Sequence, residues 1–218
     1  MQMGKKVFVI YPGRFHPFHA GHKGVYNYLS TKFGGNDVYI TTTGVVELPK
    51  SPFSFDEKKE MMMATGIPPN KILNVKNNYN LQSVSSQIPI NVERDSIIFA
   101  VSQKDMAEDP RFKIGKKVSG GDSYFQDYKK NKSNLKGFDK HGYLIVAPHV
   151  SIKIPGYSEM SGTSLRASLG AKKPRSQKIE QFKAIFGWYD KKTSDMVFNK
   201  LESMSESTLF SKQWWETS

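Results

Sequence analysis

An apolar run, Val7-Phe8-Val9-Ile10-Tyr11, breaks at Pro12-Gly13 and gives way to a helical pattern from Gly21. That succession most constrains what this chain can become. A short unbroken apolar run bounded by turn residues reads as a strand buried on both faces. Such a strand needs helices to cover it, so strand and helix must alternate along the chain. The rest of the sequence obeys. Strands are predicted at Lys6–Tyr11, Asp37–Thr43, Lys71–Val75, Ser96–Val101 and Gly142–Ala147. Helices are predicted at Gly21–Phe33, stopped by Gly34-Gly35, and from a capping box at Ser54 and Glu57 through Thr65. Shorter helices are expected at Leu81–Gln87, around Tyr124–Lys130 and at Ser164–Leu169, then, after a linker at Lys172–Ser176, at Gln177–Gly187 and Ser194–Met204. The expected architecture is α/β: a parallel sheet with helices on both faces, plus a C-terminal helical extension. Residues 1–170 would form the sheet domain, with a basic insertion at about 103–140, and 171–218 the extension packed on it. Met61-Met62-Met63 and Trp188-Tyr189 are expected in the core or packing between helices. Trp214 and Trp215 are expected on the body or at a subunit contact.

The segment between the first strand and its helix is Gly13-Arg14-Phe15-His16-Pro17-Phe18-His19-Ala20-Gly21-His22. His19 and His22 fall at a helix N-terminus, where backbone N–H groups and the helix dipole favour an anion. Imidazoles add hydrogen bonds and, when protonated, charge. A metal site built from His16, His19 and His22 is the competing reading. The chain has no cysteine and no carboxylate cluster nearby, and Pro and Gly fix a turn there. A second polar cluster, Ser161-Gly162-Thr163-Ser164-Leu165-Arg166, opens a late helix. Its hydroxyls and Arg166 suit phosphate oxygens. The bland alternative is capping by Thr163 with Arg166 facing solvent.

Gly-Arg-Phe-x-Pro-Phe-His-x-Gly-His resembles the first motif of the nucleotidyltransferase superfamily, and Ser161–Arg166 resembles its C-terminal motif. Within that superfamily the chain is most similar to the archaeal type of nicotinamide mononucleotide adenylyltransferase. Lys50-Ser51-Pro52-Phe53 before Glu57-Lys58 resembles that group's Arg-x-Pro-Phe, with Lys50 in place of Arg. The resemblance implies a Rossmann-like fold and transfer of a nucleotide from a triphosphate to a phosphate-bearing acceptor, releasing pyrophosphate. It implies ATP and nicotinamide mononucleotide as substrates, giving NAD, with Mg²⁺ accompanying the triphosphate. It assigns His19, His22 and Arg166 to catalysis, and Gly13, Arg14, Phe15, Gly21, Lys50, Ser161, Thr163 and Ser164 to nucleotide and phosphate binding. The chain departs after the strand Ser96–Val101. It reads Ser102-Gln103-Lys104-Asp105 where the archaeal group tends to show Ser-Gly-Asn, so either the base pocket is rebuilt or a second Gly-rich turn, Ser119-Gly120-Gly121-Asp122, performs that task. Cytidylyl transfer to a small phosphorylated alcohol therefore remains a sibling reading. A non-catalytic nucleotide- or RNA-binding module is the alternative from another class.

Other templates are missing from the 218 residues: no P-loop, no Gly-x-Gly-x-x-Gly, no His-Glu-x-x-His and no Gly-x-Ser-x-Gly. The His-x-Gly-His string also resembles class I aminoacyl-tRNA synthetases, but a Lys-Met-Ser-Lys-Ser loop is absent. No apolar run reaches the ~20 residues of a membrane span. The strand pattern begins within six residues of the start, which argues against a secretory signal. With no cysteine, a cytoplasmic home is expected. The net charge of +12 gathers at Lys113, Lys116, Lys117, Lys129, Lys130, Lys132, Lys136 and Lys140, and at Lys172, Lys173, Arg175 and Lys178. A solvated surface that attracts nucleotides is preferred over a nucleic-acid partner, because no nucleic-acid module is recognisable. A homo-oligomer is expected.

Overall fold

A computed structural model of the chain describes residues 4–108, 112, 114, 116–117, 119–150 and 161–206. Lys113, Trp214 and Trp215 lie outside the described residues. The chain divides into two compact units. The first takes its described residues from 4–13, 25–43 and 70–149, the second from 14–24, 44–69 and 150–206.

The first unit holds one six-stranded sheet: β1 (Val7–Pro12), β2 (Val38–Thr42), β3 (Ile72–Asn74), β4 (Ser96–Val101), β5 (Phe125–Asp127) and β6 (Gly142–Val146). Their order is β3-β2-β1-β4-β6-β5, and every pairing is parallel. Flanked by helices and followed by C-terminal helices, the sheet is the Rossmann-like α/β class that the alternation predicts. All six residues of β4 and all five of β2 are buried, including Ser96, Thr41 and Thr42 at the strand ends, as central strands covered on both faces require. Strand order reverses between β1 and β4, the switch point where such sheets place ligands at strand C-termini. The long polar motif leaves the sheet at the end of β1.

Helix α1 (Ala20–Phe33) ends at Gly34, whose φ of 83° is the left-handed stop that the sequence signals. The short helix α3 (Leu81–Ser85) supplies Val84 to a core with Phe8, Ile97, Phe99 and Phe138. The segment expected to be a basic insertion places its described residues Phe112 and Phe138 in this core. It contains α4 (Gln103–Glu108), Phe112, β5 and α5 (Tyr128–Asn131). The helix expected around Tyr124–Lys130 is thus an edge strand followed by a single helical turn. Three half-buried residues carry little local signal, and the pairing Phe125↔Gly142 that defines them is non-local.

In the second unit, α2 (Phe55–Ala64) begins with the expected capping box. Ser54 accepts from Glu57 N–H at 3.3 Å, and Glu57 accepts from Ser54 N–H at 2.7 Å. Met61 and Met62 are buried but Met63 is exposed. Three consecutive helical residues fan out at about 100° each and cannot share one face. Helices α6 (Gly162–Gly170), α7 (Arg175–Phe186) and α8 (Lys191–Glu206) follow. Phe182 stacks on Phe186 at 4.1 Å and meets Phe198 and Trp188 edge-on. No helix among the described residues is long and apolar enough to cross a membrane.

Phe138 is fully buried, with Phe99 at 6.2 Å and Tyr124 at 6.4 Å. If the 103–140 segment is core, Phe138→Ala should lower unfolding stability by about 3–5 kcal/mol in a urea titration. A loss under about 1 kcal/mol would mark it as a surface appendage.

Candidate active site

The expected site residues, apart from Gly13, lie in the second unit. Gly13 closes the first, its N–H donating to the Thr41 carbonyl at 3.1 Å. Arg14, exposed, follows it. The core of the site is the start of α1, and its chemistry follows from how that helix is capped. His19 is the N-cap: its carbonyl accepts the first helical bond, from Lys23 N–H at 3.1 Å. Its Nδ1 accepts from Gly21 N–H at 3.1 Å. His22 reaches back, its Nδ1 accepting from His19 N–H at 3.3 Å. This is a reciprocal capping box made from two imidazoles instead of Ser and Glu. Their rings stack at 3.7 Å.

The arrangement explains the spacing His-x-Gly-His. The second imidazole must stand three residues on to reach the cap N–H. The residue between must lack a side chain. A Cβ on Gly21 would lie 2.7 Å from the Val150 carbonyl oxygen and 3.0 Å from His19 Cε1. Phe15 and Phe18, both buried, brace His22 at 5.0 and 5.5 Å. Phe15 therefore supports an imidazole. Its φ of 52° is a rare conformation for a bulky residue, which the surrounding packing must hold.

A ring nitrogen that accepts a hydrogen bond carries no proton. Both Nδ1 atoms accept, so in the neutral rings each Nε2 bears the hydrogen. Burial lowers the His19 pKa to about 4. His22 is pushed well below its usual value, by burial first and then by His19. At neutral pH the pair offers two N–H donors and no net charge.

The charge comes from neighbours. His16 is buried, and its pKa falls to about 3 through burial and then the fields of Lys58, Arg166 and Arg14. Those three cations therefore surround one imidazole. Lys58, fully buried on α2, donates to the Arg14 carbonyl at 3.3 Å, and burial lowers its pKa to about 8. Arg166 is buried too. It donates to the His16 carbonyl at 2.7 Å and to Thr163 Oγ1 at 3.3 Å, while its Nε has no partner among the described residues. The solvent-facing alternative for Arg166 is excluded. So is capping by Thr163: α6 starts at Gly162, two residues earlier than expected, and Ser161 caps it by accepting from Ser164 N–H at 3.2 Å.

Lys50 stands apart. It is exposed on a tight turn closed by Glu47 N–H to the Ser51 carbonyl at 2.9 Å, and no contact joins it to the imidazoles among the described residues. The same segment is tied in by Phe53, which donates its N–H to His16 Nδ1 at 3.4 Å and stacks on that ring at 6.1 Å. His16, weighed in the sequence only as a metal ligand, and Phe53 and Lys58, read there only as part of a motif, are the residues whose buried roles sequence reasoning missed. Only the apolar position of Lys58 on a capped helix hinted at burial.

No protein-family model matches this chain, and no curated protein matches it in sequence. Solved structures do match. A bifunctional NMN adenylyltransferase/ADP ribose pyrophosphatase from Francisella tularensis superposes with a TM-score of 0.51 at 16% identity, over 94% of this chain and 51% of that one. The Francisella tularensis enzyme complexed with AMP and a Mn ion gives 0.53 at 14% identity, over 98% and 56%. A Plasmodium falciparum nicotinic acid mononucleotide adenylyltransferase complexed with APC gives 0.49 at 14%, over 93% and 98%. The chain spans about half the length of the Francisella protein. At these identities, what it shares with that protein is the fold.

The buried histidines set a pH dependence. Their native pKa values lie below the unfolded value of 6.5, so below pH 6.5 the unfolded chain binds protons that the native chain refuses. Stability should be full above pH 6.5 and fall toward pH 4. His16 alone contributes about 1.4 kcal/mol per pH unit. His16→Asn keeps an acceptor for Phe53 N–H and removes the titration. Its denaturation curves should show an acid slope shallower by that amount; an unchanged slope would refute the assignment.

Proposed function

We propose that this chain is a nucleotidyltransferase, joining a nucleoside monophosphate from a triphosphate to a phosphate-bearing acceptor and releasing pyrophosphate. The observation that carries the reading is the paired-imidazole cap, with two Nε2–H donors at a helix start, together with Arg14, Lys58 and Arg166 gathered around His16, three residues before His19. Fixed donors, a helix N-terminus and clustered cations suit a polyphosphate. The sequence motifs and the fold of the solved structures support the same reaction.

An oxygen of the acceptor phosphate attacks the α-phosphorus in line. The new P–O bond forms as the bond to the bridging α–β oxygen breaks, and pyrophosphate departs with that electron pair. The attacking oxygen is already ionised at neutral pH, so no protein base is required. The chain positions the reactants and stabilises charge on the phosphoryl oxygens. His19 and His22 donate through Nε2–H to the α- and β-phosphates. Arg14 borders the phosphates, and Ser161, Thr163, Ser164 and Arg166 hold the leaving pyrophosphate. Lys50, on its exposed turn, closes over it. Among the described residues no group of three His, Cys, Asp or Glu could cage a metal ion. Mg²⁺ would accompany the triphosphate as part of the substrate, held mostly by phosphate oxygens and waters.

ATP and nicotinamide mononucleotide, giving NAD, are the proposed substrates. The neighbouring structures' adenylyltransferase activities and the archaeal-type motifs support them. A second reading, CTP with a small phosphorylated alcohol, draws on one feature. After β4, Ser102 caps α4 by accepting from Asp105 N–H at 3.0 Å, so a helix start occupies the place of the family's Gly-Asn turn. Pyrophosphate release with ATP or CTP, crossed against nicotinamide mononucleotide and phosphorylated alcohols, separates the two. Release with no pair would overturn the proposal.

The cap allows a sharper test. In His22→Asn the amide oxygen replaces Nδ1 as acceptor, but nothing replaces the Nε2–H. Stability should stay within about 1 kcal/mol, the worth of a cap. Turnover should fall about 10²–10³-fold, as when one transition-state donor is removed. Unchanged turnover in a folded variant would refute the donor role.

A further inference from the structure

The two units treat their lysines differently. In the second, several cations outside the candidate site meet carboxylates: Lys192 to Glu60 at 2.9 Å, Lys200 to Glu57 at 2.9 Å, Lys183 to Glu180 at 3.1 Å and Lys191 to Asp195 at 2.8 Å. The basic cluster near the linker is absorbed as well. Arg175 pairs with Asp195 and covers Phe198, Lys178 pairs with Glu202, and Lys173 donates to Ser168.

In the first unit Lys32, Lys129, Lys130, Lys132 and Lys136 are exposed, and none has an ion pair among the described residues. They form one surface. Lys32 lies over the Phe33 ring at 5.7 Å, and that ring meets Tyr128 at 5.5 Å. Tyr128 opens α5, which carries Lys129 and Lys130 and leads to Lys132. Lys5 donates to the Leu135 carbonyl, beside Lys136. The nearby carboxylates are engaged. Asp127 caps α5 by accepting from Lys130 N–H at 3.1 Å, and Asp139 pairs with Lys140 at 2.8 Å. At the edge stands Tyr28, 41% exposed, with Lys32 donating to its hydroxyl at 3.0 Å.

Uncompensated like charges side by side repel one another, and a polyanion relieves that repulsion by releasing its counterions. An exposed aromatic ring beside them offers a base a face to stack on. We infer that the α5 face of the first unit binds the phosphate backbone of single-stranded nucleic acid, a role separate from nucleotidyl transfer.

The probes are mixed-sequence 20-nucleotide single strands of RNA and of DNA, titrated by fluorescence anisotropy at several salt concentrations, with phosphatidylserine vesicles as the alternative polyanion. Lys129→Gln/Lys130→Gln/Lys132→Gln removes three charges from the face; Lys183→Gln/Lys191→Gln/Lys192→Gln removes the same formal charge from paired positions. The first triple should weaken binding at least tenfold at low salt and flatten the log–log salt slope by about 2. The second should stay within about twofold. Both should release pyrophosphate as the unmodified protein does. The RNA and DNA arms show which strand is held. The inference fails if both triples weaken binding alike, if neither does, or if vesicles bind and oligonucleotides do not.

Discussion

The hydrogen bonds between His19, Gly21 and His22 at the start of α1 are the constraint on which the site depends. A helix needs partners for its first N–H groups, and here the partners are also the groups proposed to meet substrate. Capping decides which nitrogen of each ring keeps its proton. Burial decides that the rings are neutral. The donors are thus fixed in place by the folding of the helix, with little reorganisation left for binding.

Around this cap, His16 joins three stretches of sequence through three different groups. Its carbonyl receives Arg166, its Nδ1 receives Phe53 N–H, and its ring lies on Phe53. Arg166 is thereby oriented from 150 residues away. A guanidinium engaged by a carbonyl and a hydroxyl keeps its full charge while losing rotational freedom. That is a useful state for a group proposed to meet phosphate without first becoming ordered.

Much of this was legible in the sequence where the signal is local. Ser54 and Glu57 announce a helix start because both halves of the cap lie within one turn. The apolar runs of β1 and β4 announce buried strands because nothing polar interrupts them. The His-x-Gly-His spacing marks a helix terminus, though not that its imidazoles cap each other. What stayed hidden is non-local. β5 exists only through its pairing with β6. The burial of Arg166 depends on a carbonyl at the other end of the chain. The burial of Lys58 depends on Arg14. The late helix is capped by Ser161, not Thr163, because Ser and Thr are nearly equivalent caps and only backbone geometry chooses between them.

The sheet ends on both sides in strands of three residues, β3 and β5, while its longest apolar strands lie inside. Short edges give another chain little to pair with. The protection is uneven in kind. Loss of β5 would bare β6, the apolar Gly142–Val146, whose unsatisfied backbone is a template for intermolecular strand addition. This three-residue strand thus acts as a guard against self-association of the folding chain.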